Sequence, residues 1–374
     1  MNEQRPRLDA SFLRTPLGWP YLLTPLIPIA VALDLVGVSA TIVFAASALG
    51  IIPTAALMGR ATEELAARSG PGIGGLLNVT FGNAPELIIA LFALEQGLQE
   101  VVKASIVGSI IGNILLVLGA AMLAGGIGRD KQHFSRTSAS IQTTMLMLAA
   151  AALLMPAIFE LIEGQGLPQP GAESVHYGGT VEHLSLAVAI VLLVTYVVGL
   201  FFSLKTHRDL FNPDYEDEAT WGWSTRTSVI ALAIAGVLVG IMSEVLVGSI
   251  TEASESVGLS EFFIGVIVVA IVGNAAEHWV AVLVAVKDKM DLAVNIAIGS
   301  SAQVALFVAP ALVLASFFIG PYPLALVFNG FELGAILLAI LIANHVTTDG
   351  ESTWFEGVQL LAVYFVFALA FYFA

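Results

Sequence analysis

Two short stretches of the chain, FGNAPELIIA at Phe81–Ala90 and IVGNAAEHWV at Ile271–Val280, each carry a glutamate three residues behind an asparagine in an otherwise apolar run. Glu86 and Glu277 stand 191 residues apart. Helix residues three apart share a face. Asn83 with Glu86, and Asn274 with Glu277, therefore each set an amide oxygen beside a carboxylate. Gly82 and Gly273 allow a neighbouring backbone to approach closely. Pro85 cannot donate to the carbonyl of Phe81 and crowds that turn, so it is expected to act as a helix hinge and to release carbonyl oxygens toward the site. The resulting donor set is all oxygen. Two carboxylates mixed with flexible carbonyl oxygens suit a hard divalent cation, and favour Ca2+ over the stricter octahedral Mg2+; Mn2+, carried by an antiporter or a channel, is the alternative. Without the metal the same carboxylates take up protons. The site is then neutral with one divalent cation or with two protons, and exchange of one for the other is proton-coupled antiport.

Such carboxylates have to be held inside a particular kind of scaffold. The chain has 374 residues, 57% hydrophobic and 11% charged, with a mean hydropathy of +0.91. Soluble proteins carry about 25% charged residues, so the composition is that of an all-α polytopic protein of the lipid bilayer. A formal charge of -15 argues against nucleic acid as a partner. The absence of cysteine excludes disulfides and thiolate metal sites. The basic N-terminal stretch has no small-residue cleavage site and reads as the lead-in to a retained helix.

Apolar windows of about 20 residues mark spanning helices. The sequence predicts eleven: Leu17–Val36, Ala40–Met58, Gly72–Leu94, Val101–Leu123, Ser138–Phe159, Leu184–Leu204, Ser228–Val247, Phe262–Val286, Leu292–Phe318, Leu324–Ala343 and Trp354–Phe373. With the N-terminus cytoplasmic, thirteen of the fourteen basic residues fall on the cytoplasmic side, and only Lys103 falls outside. The C-terminus is then on the opposite face of the membrane, expected to be the cell's inner (plasma) membrane.

At the same offset of 191, Val107-Gly108-Ser109 matches Ile298-Gly299-Ser300. Five helices separate equivalent spans, and an odd number inverts the copy. The expected architecture is one leading helix followed by two inverted five-helix repeats. Residues 1–37 form the cytoplasmic N-terminus and leading helix, 38–208 the first repeat, 209–223 an acidic cytoplasmic linker and 224–374 the second repeat. Inverted repeats characterise secondary transporters, whose ion sites lie near the bilayer midplane between the repeats. An intramembrane carboxylate is costly enough to be functional by default.

The two motifs, GNAPELIIAL and GNAAEHWVA, resemble the paired signature motifs of the calcium/proton exchanger (CAX) family within the wider cation/calcium exchanger superfamily. The likeness extends through GSIIGNILLVLG after the first motif and IAIGSSAQVALFVAP after the second. It implies Ca2+ efflux from the cytoplasm in exchange for protons by alternating access. Related sodium/calcium exchangers have serine or threonine where Asn83 and Asn274 stand, and polar ligands where Ile110 stands. That departure implies protons as the driving ion.

Further polar residues lie in the spans. Asn113, Ser301 and Gln303 are candidates for direct or water-mediated ligands, although such residues also pack membrane helices together. The offset pairs Asn113 with Val304, so the two-fold relation is imperfect there. His278 points about 100° away from Glu277 around the helix, and is a candidate proton relay or an interface hydrogen bond. Glu332 is expected well inside its span as a proton path or gate. Glu63 and Glu64 are expected on a solvated helical end. The linker clusters Asp209, Asp214, Glu216, Asp217 and Glu218, without EF-hand spacing; it reads as a solvated linker or, as the resemblance implies, a regulatory Ca2+ surface. The chain has no HExxH, and His278 is the one histidine in mid-span, so no enzyme and no resident cofactor are expected. A homo-oligomer is compatible with the sequence and is not specified by it.

Overall fold

In the computed structural model, residues 15–164, 166–170, 177, 179–206 and 222–374 are described. The described chain is almost entirely helical. In order it forms α1 (Trp19–Val36), α2 (Ala40–Gly82), α3 (Ala84–Glu95), α4 (Gln99–Gly126), α5 (Arg136–Ile162), α6 (Gly179–Thr206), α7 (Thr225–Val257), α8 (Glu261–Val286), α9 (Met290–Ser316), α10 (Gly330–Val346) and α11 (Trp354–Phe373). Among the described residues, nine helices are long and apolar enough to cross a membrane. The end of α2 with α3, bent by 42°, makes up to ten, and α10 is a shorter apolar helix. The four helices α4, α6, α8 and α9 contain π-helical turns, at Gly112–Val117, Phe202–Thr206, Ile264–Val269 and Val304–Val308.

Three expectations about boundaries change. The helical end expected beyond Met58 does not stop before the next span: α2 runs on through the RATEELAARSG stretch to Gly82 and takes in the first part of the span predicted from Gly72. Span ten does not begin at Leu324, because Leu324–Phe328 is non-helical and fully buried, and the helix starts only at Gly330. Glu332 is therefore not in mid-helix; it closes a capping box with Asn329 in the first turn of α10. Span one is irregular, as its prolines require, with a 3-10 turn at Trp19–Leu23 ahead of a helix at Leu26–Val36.

The chain divides into two compact units that cut across its sequence halves. The first unit comprises the chain up to Ile89, Gly199–Val257 and Val272–Glu277. In it α2 packs along α7, with Met58, Ala235 and Val239 at a core flanked by Leu57, Ala84, Ile88 and Leu232. Glu64, expected to be solvated, is buried there. It takes Nη2 of Arg60 at 2.6 Å, one helical turn back, and accepts the backbone N–H of Trp223 at 3.0 Å. A buried carboxylate survives because it is paired.

The second unit holds Ala90–Val198, Gly258–Ile271 and His278–Ala374. Its helix-connecting segments gather in two separate groups. In one, Gln132 donates to Asp288 (2.8 Å), Lys131 meets Glu351 (2.7 Å), and the two-residue strands β1 (Gln132–His133) and β2 (Glu351–Ser352) pair antiparallel. In the other, Gln99 donates to the carbonyl of Tyr322 (2.8 Å), and Lys103, one turn on, donates to that of Val327 (2.7 Å). Lys103 is only 2% exposed, with the ring of Tyr177 5.3 Å from its ammonium. Two further backbone groups of the non-helical stretch are met by side chains: Ser316 Oγ accepts Leu324 N–H at 2.7 Å, and Ser185 Oγ accepts Leu326 N–H at 3.0 Å.

Candidate functional site

Both signature motifs contribute to the first unit, and they meet. Asn83 sits at the junction of α2 and α3, with φ -95° and ψ 10°, where the helix breaks. Its carbonyl accepts the N–H of Leu87 and starts α3, and Pro85 occupies the first turn of α3, where its missing N–H costs nothing. The Phe81 carbonyl is not left open, as Pro85 led the sequence reading to expect: it accepts the N–H of Asn83. In α8, where Ala276 replaces the proline, the helix is uninterrupted from Ala270 to Val286.

Across the two motifs, the side-chain amide of Asn274 donates to the carboxylate of Glu86. Asn274 is 3% exposed and Asn83 1%, while Glu86 and Glu277 are half-buried. An amide has two ends. Its N–H end offsets the charge of a carboxylate, and its oxygen end is a ligand for a hard cation. Gly273 lies directly over the acid: a Cβ placed there would come 3.2 Å from Glu86 Cγ and 3.6 Å from Ile89 Cδ1. Gly82 has nothing within 4 Å of the same position, so the two motif glycines are not equivalent. Among the described residues there is no cluster of three or more His, Cys, Asp or Glu able to hold a metal. A cation held by these acids would thus draw on amide and backbone oxygens as well.

The other candidates belong to the second unit. Asn113 lies in the π turn of α4, 1% exposed, and its Oδ1 is 2.9 Å from Nε2 of His278. That contact matches the interface-hydrogen-bond reading of His278. Ser301 is fully buried and donates to the carbonyls of Ala297 (3.0 Å) and Ile110 (3.2 Å). Gln303 ends the α-helical part of α9, just before its π turn. Glu332 Oε2 accepts the N–H of Asn329 at 2.8 Å in the capping box of α10. Sequence reasoning did not anticipate the burial of Lys103 or Glu64. For Glu64 a signal existed, since Arg60 stands four residues earlier on a helix; for Lys103 the available sign was a second polar residue, Gln99, four positions earlier on the same helical face. The acidic cluster Asp209, Asp214, Glu216, Asp217 and Glu218 lies outside the described residues.

Apolar helices around paired acid–amide motifs define a cation-transporting membrane protein. The chain belongs to the sodium/calcium exchanger protein family, whose model matches residues 39–205 and 227–373. Among its relatives, a Ca(2+)/H(+) antiporter of Synechocystis sp. is 44% identical over 368 residues, covering 92% of this chain and 95% of the relative. The Ca(2+)/H(+) antiporter ChaA of Bacillus subtilis is 42% identical over 351 residues, covering 92% and 96%. The solved structure of native YfkE superposes with a TM-score of 0.80 at 39% identity, covering 95% of this chain and all of that one.

Proposed function

We propose that the protein is a Ca2+/H+ antiporter working by alternating access, in which Glu86 and Glu277 bind either one Ca2+ or protons. The observation that carries this reading is the hydrogen bond from Asn274 to Glu86, which joins the two motifs directly. The names of relatives that share over 40% identity along nearly their whole length point the same way. Asn83, Asn274 and the backbone at Gly82 and Gly273 would supply further oxygens.

In this reading the chain crosses the membrane eleven times, as a leading helix and two inverted repeats, with the N-terminus cytoplasmic. Two features favour it. Ser301 touches Ile110, its own equivalent at the 191-residue offset; in a two-fold arrangement, a residue that meets its equivalent lies on the axis. The loops that cluster together, around Gln132, Asp288 and Glu351 on one hand and Gln99 and Tyr322 on the other, are those that an alternating eleven-span path puts on the same face.

The test is Glu86→Gln and Glu277→Gln, each reconstituted in vesicles and assayed for uptake of radiolabelled Ca2+ driven by an imposed pH gradient. Glutamine keeps the shape and removes both the charge and the titratable proton, so each variant should be folded and inactive. Wild-type exchange in either would overturn the two-glutamate mechanism.

A further inference from the structure

Two of the π turns occupy matching places in the two halves. At the offset of 191, residues 113–117 of α4 correspond to 304–308 of α9, and both segments are almost wholly buried. In each, the bond closing the turn spans five residues: Leu118 N–H to Asn113 O, and Ala309 N–H to Val304 O. The turn at Ile264–Val269 has no such match, since residues 73–78 are α-helical.

The second turn has a cause in the sequence. Pro310 has no N–H to give to Leu306 and its ring crowds that carbonyl, so the widened turn just before it relieves the clash. Its equivalent in the first half is Gly119. There a Cβ would come within 3.0 Å of Leu360 Cβ and 3.1 Å of the Gly357 carbonyl, so the missing side chain lets α11 lie against α4 beside the turn. On the other turn, Phe307 stacks on Tyr196 of α6, with ring centroids 5.3 Å apart and planes 18° from parallel. Each π turn is therefore braced by the last helix of the other half. The first turn also carries Asn113, bonded to His278, the residue next to Glu277.

A π turn holds one extra residue, and such turns recur at functional sites. Moving it along by one peptide exchanges one backbone bond for another and rotates the side chain it passes by about 100°. We infer that the matched π turns at Gly112–Val117 and Val304–Val308 are hinges at which α4 and α9 change pitch during the transport cycle, with Pro310 holding the second one open. The inference rests on the exchange activity proposed above.

The test uses Pro310→Ala, which restores the missing N–H, and, independently, deletion of Leu116, which removes the extra residue from the first turn. Both allow a regular α-helix. For each, the melting temperature in detergent and the initial rate of Ca2+ uptake into vesicles are measured across Ca2+ concentrations. A hinge locked in the α form should keep or raise the melting temperature, hold the apparent KM within about twofold, and lower the maximal rate about tenfold or more. A wild-type maximal rate in either folded variant would overturn the inference, as would a loss confined to KM. Failure of both variants to fold would overturn it too, because a hinge must be able to adopt the α form. Absence of exchange in the wild-type protein would instead remove the antiport reading and leave the hinge without a cycle to serve.

Discussion

The two motif glycines look interchangeable in sequence, and the structure predicts that they are not. In Gly273→Ala the new methyl would lie 3.2 Å from Glu86 Cγ, closer than a comfortable carbon–carbon contact of about 3.5–4.0 Å. Relief requires the Glu86 side chain to shift by a few tenths of an ångström, and overpacking of this kind costs about 1–3 kcal/mol. Replacing glycine inside a helix returns about 1 kcal/mol, so the variant should fold and the misfit should appear at the carboxylate. A loss of about 1–2 kcal/mol in cation binding corresponds to roughly a 5- to 30-fold weaker apparent affinity. Gly82→Ala meets nothing within 4 Å and should stay within about twofold of wild type. The assay is the Ca2+ dependence of initial uptake in vesicles at a fixed pH gradient. Equal losses in the two variants, or a larger one at Gly82, would refute the argument that Gly273 exists to make room for Glu86.

Lys103→Met should destabilise the protein by about 1–3 kcal/mol, because it leaves the buried Val327 carbonyl without its donor; a wild-type melting temperature in this variant would show that the donor is not needed. Pro85→Ala should slow the maximal rate more than it weakens Ca2+ binding, since it would let the 42° break between α2 and α3 straighten; an unchanged rate with a large loss of affinity would make the proline a shaper of the ligand site instead. Neutralising Asp209, Asp214, Glu216, Asp217 and Glu218 together should shift the Ca2+ dependence or the maximal rate and leave proton coupling intact, as read from pH-gradient-driven uptake; lost coupling would move the site into the linker.

The helices were legible because apolar windows of spanning length are hard to misread, and the contact between Asn274 and Glu86 follows from a motif present twice. What escaped the sequence were contacts made by chain far away. Lys103 counts as an external charge until Val327 supplies its carbonyl from 224 positions on. Glu332 sits in an apolar window, yet Asn329 makes it a cap rather than a mid-span acid, since capping depends on one asparagine that hydropathy averages away. Pro85 was read as a hinge within one helix, whereas Asn83 ends one helix and the proline lies in the first turn of the next. The π turns leave no trace in periodicity, because α4 and α9 are apolar and mostly buried, so a shift of face by about 100° moves no polar stripe.

The non-helical stretch Leu324–Phe328 constrains how the chain can assemble. In a bilayer an isolated stretch of this kind has nothing to satisfy its backbone, so it cannot partition as an independent helix does. Its partners Lys103, Ser185 and Ser316, and Gln99, which holds the Tyr322 carbonyl just ahead of it, all precede it in the chain. They are thus already synthesised when residue 324 leaves the ribosome. This segment enters a protein surface rather than lipid, as a late insertion templated by α4, α6 and α9. A chain ending just after the Ser316 region should consequently present an open, polar-edged slot that a separately expressed fragment beginning near Pro321 could fill.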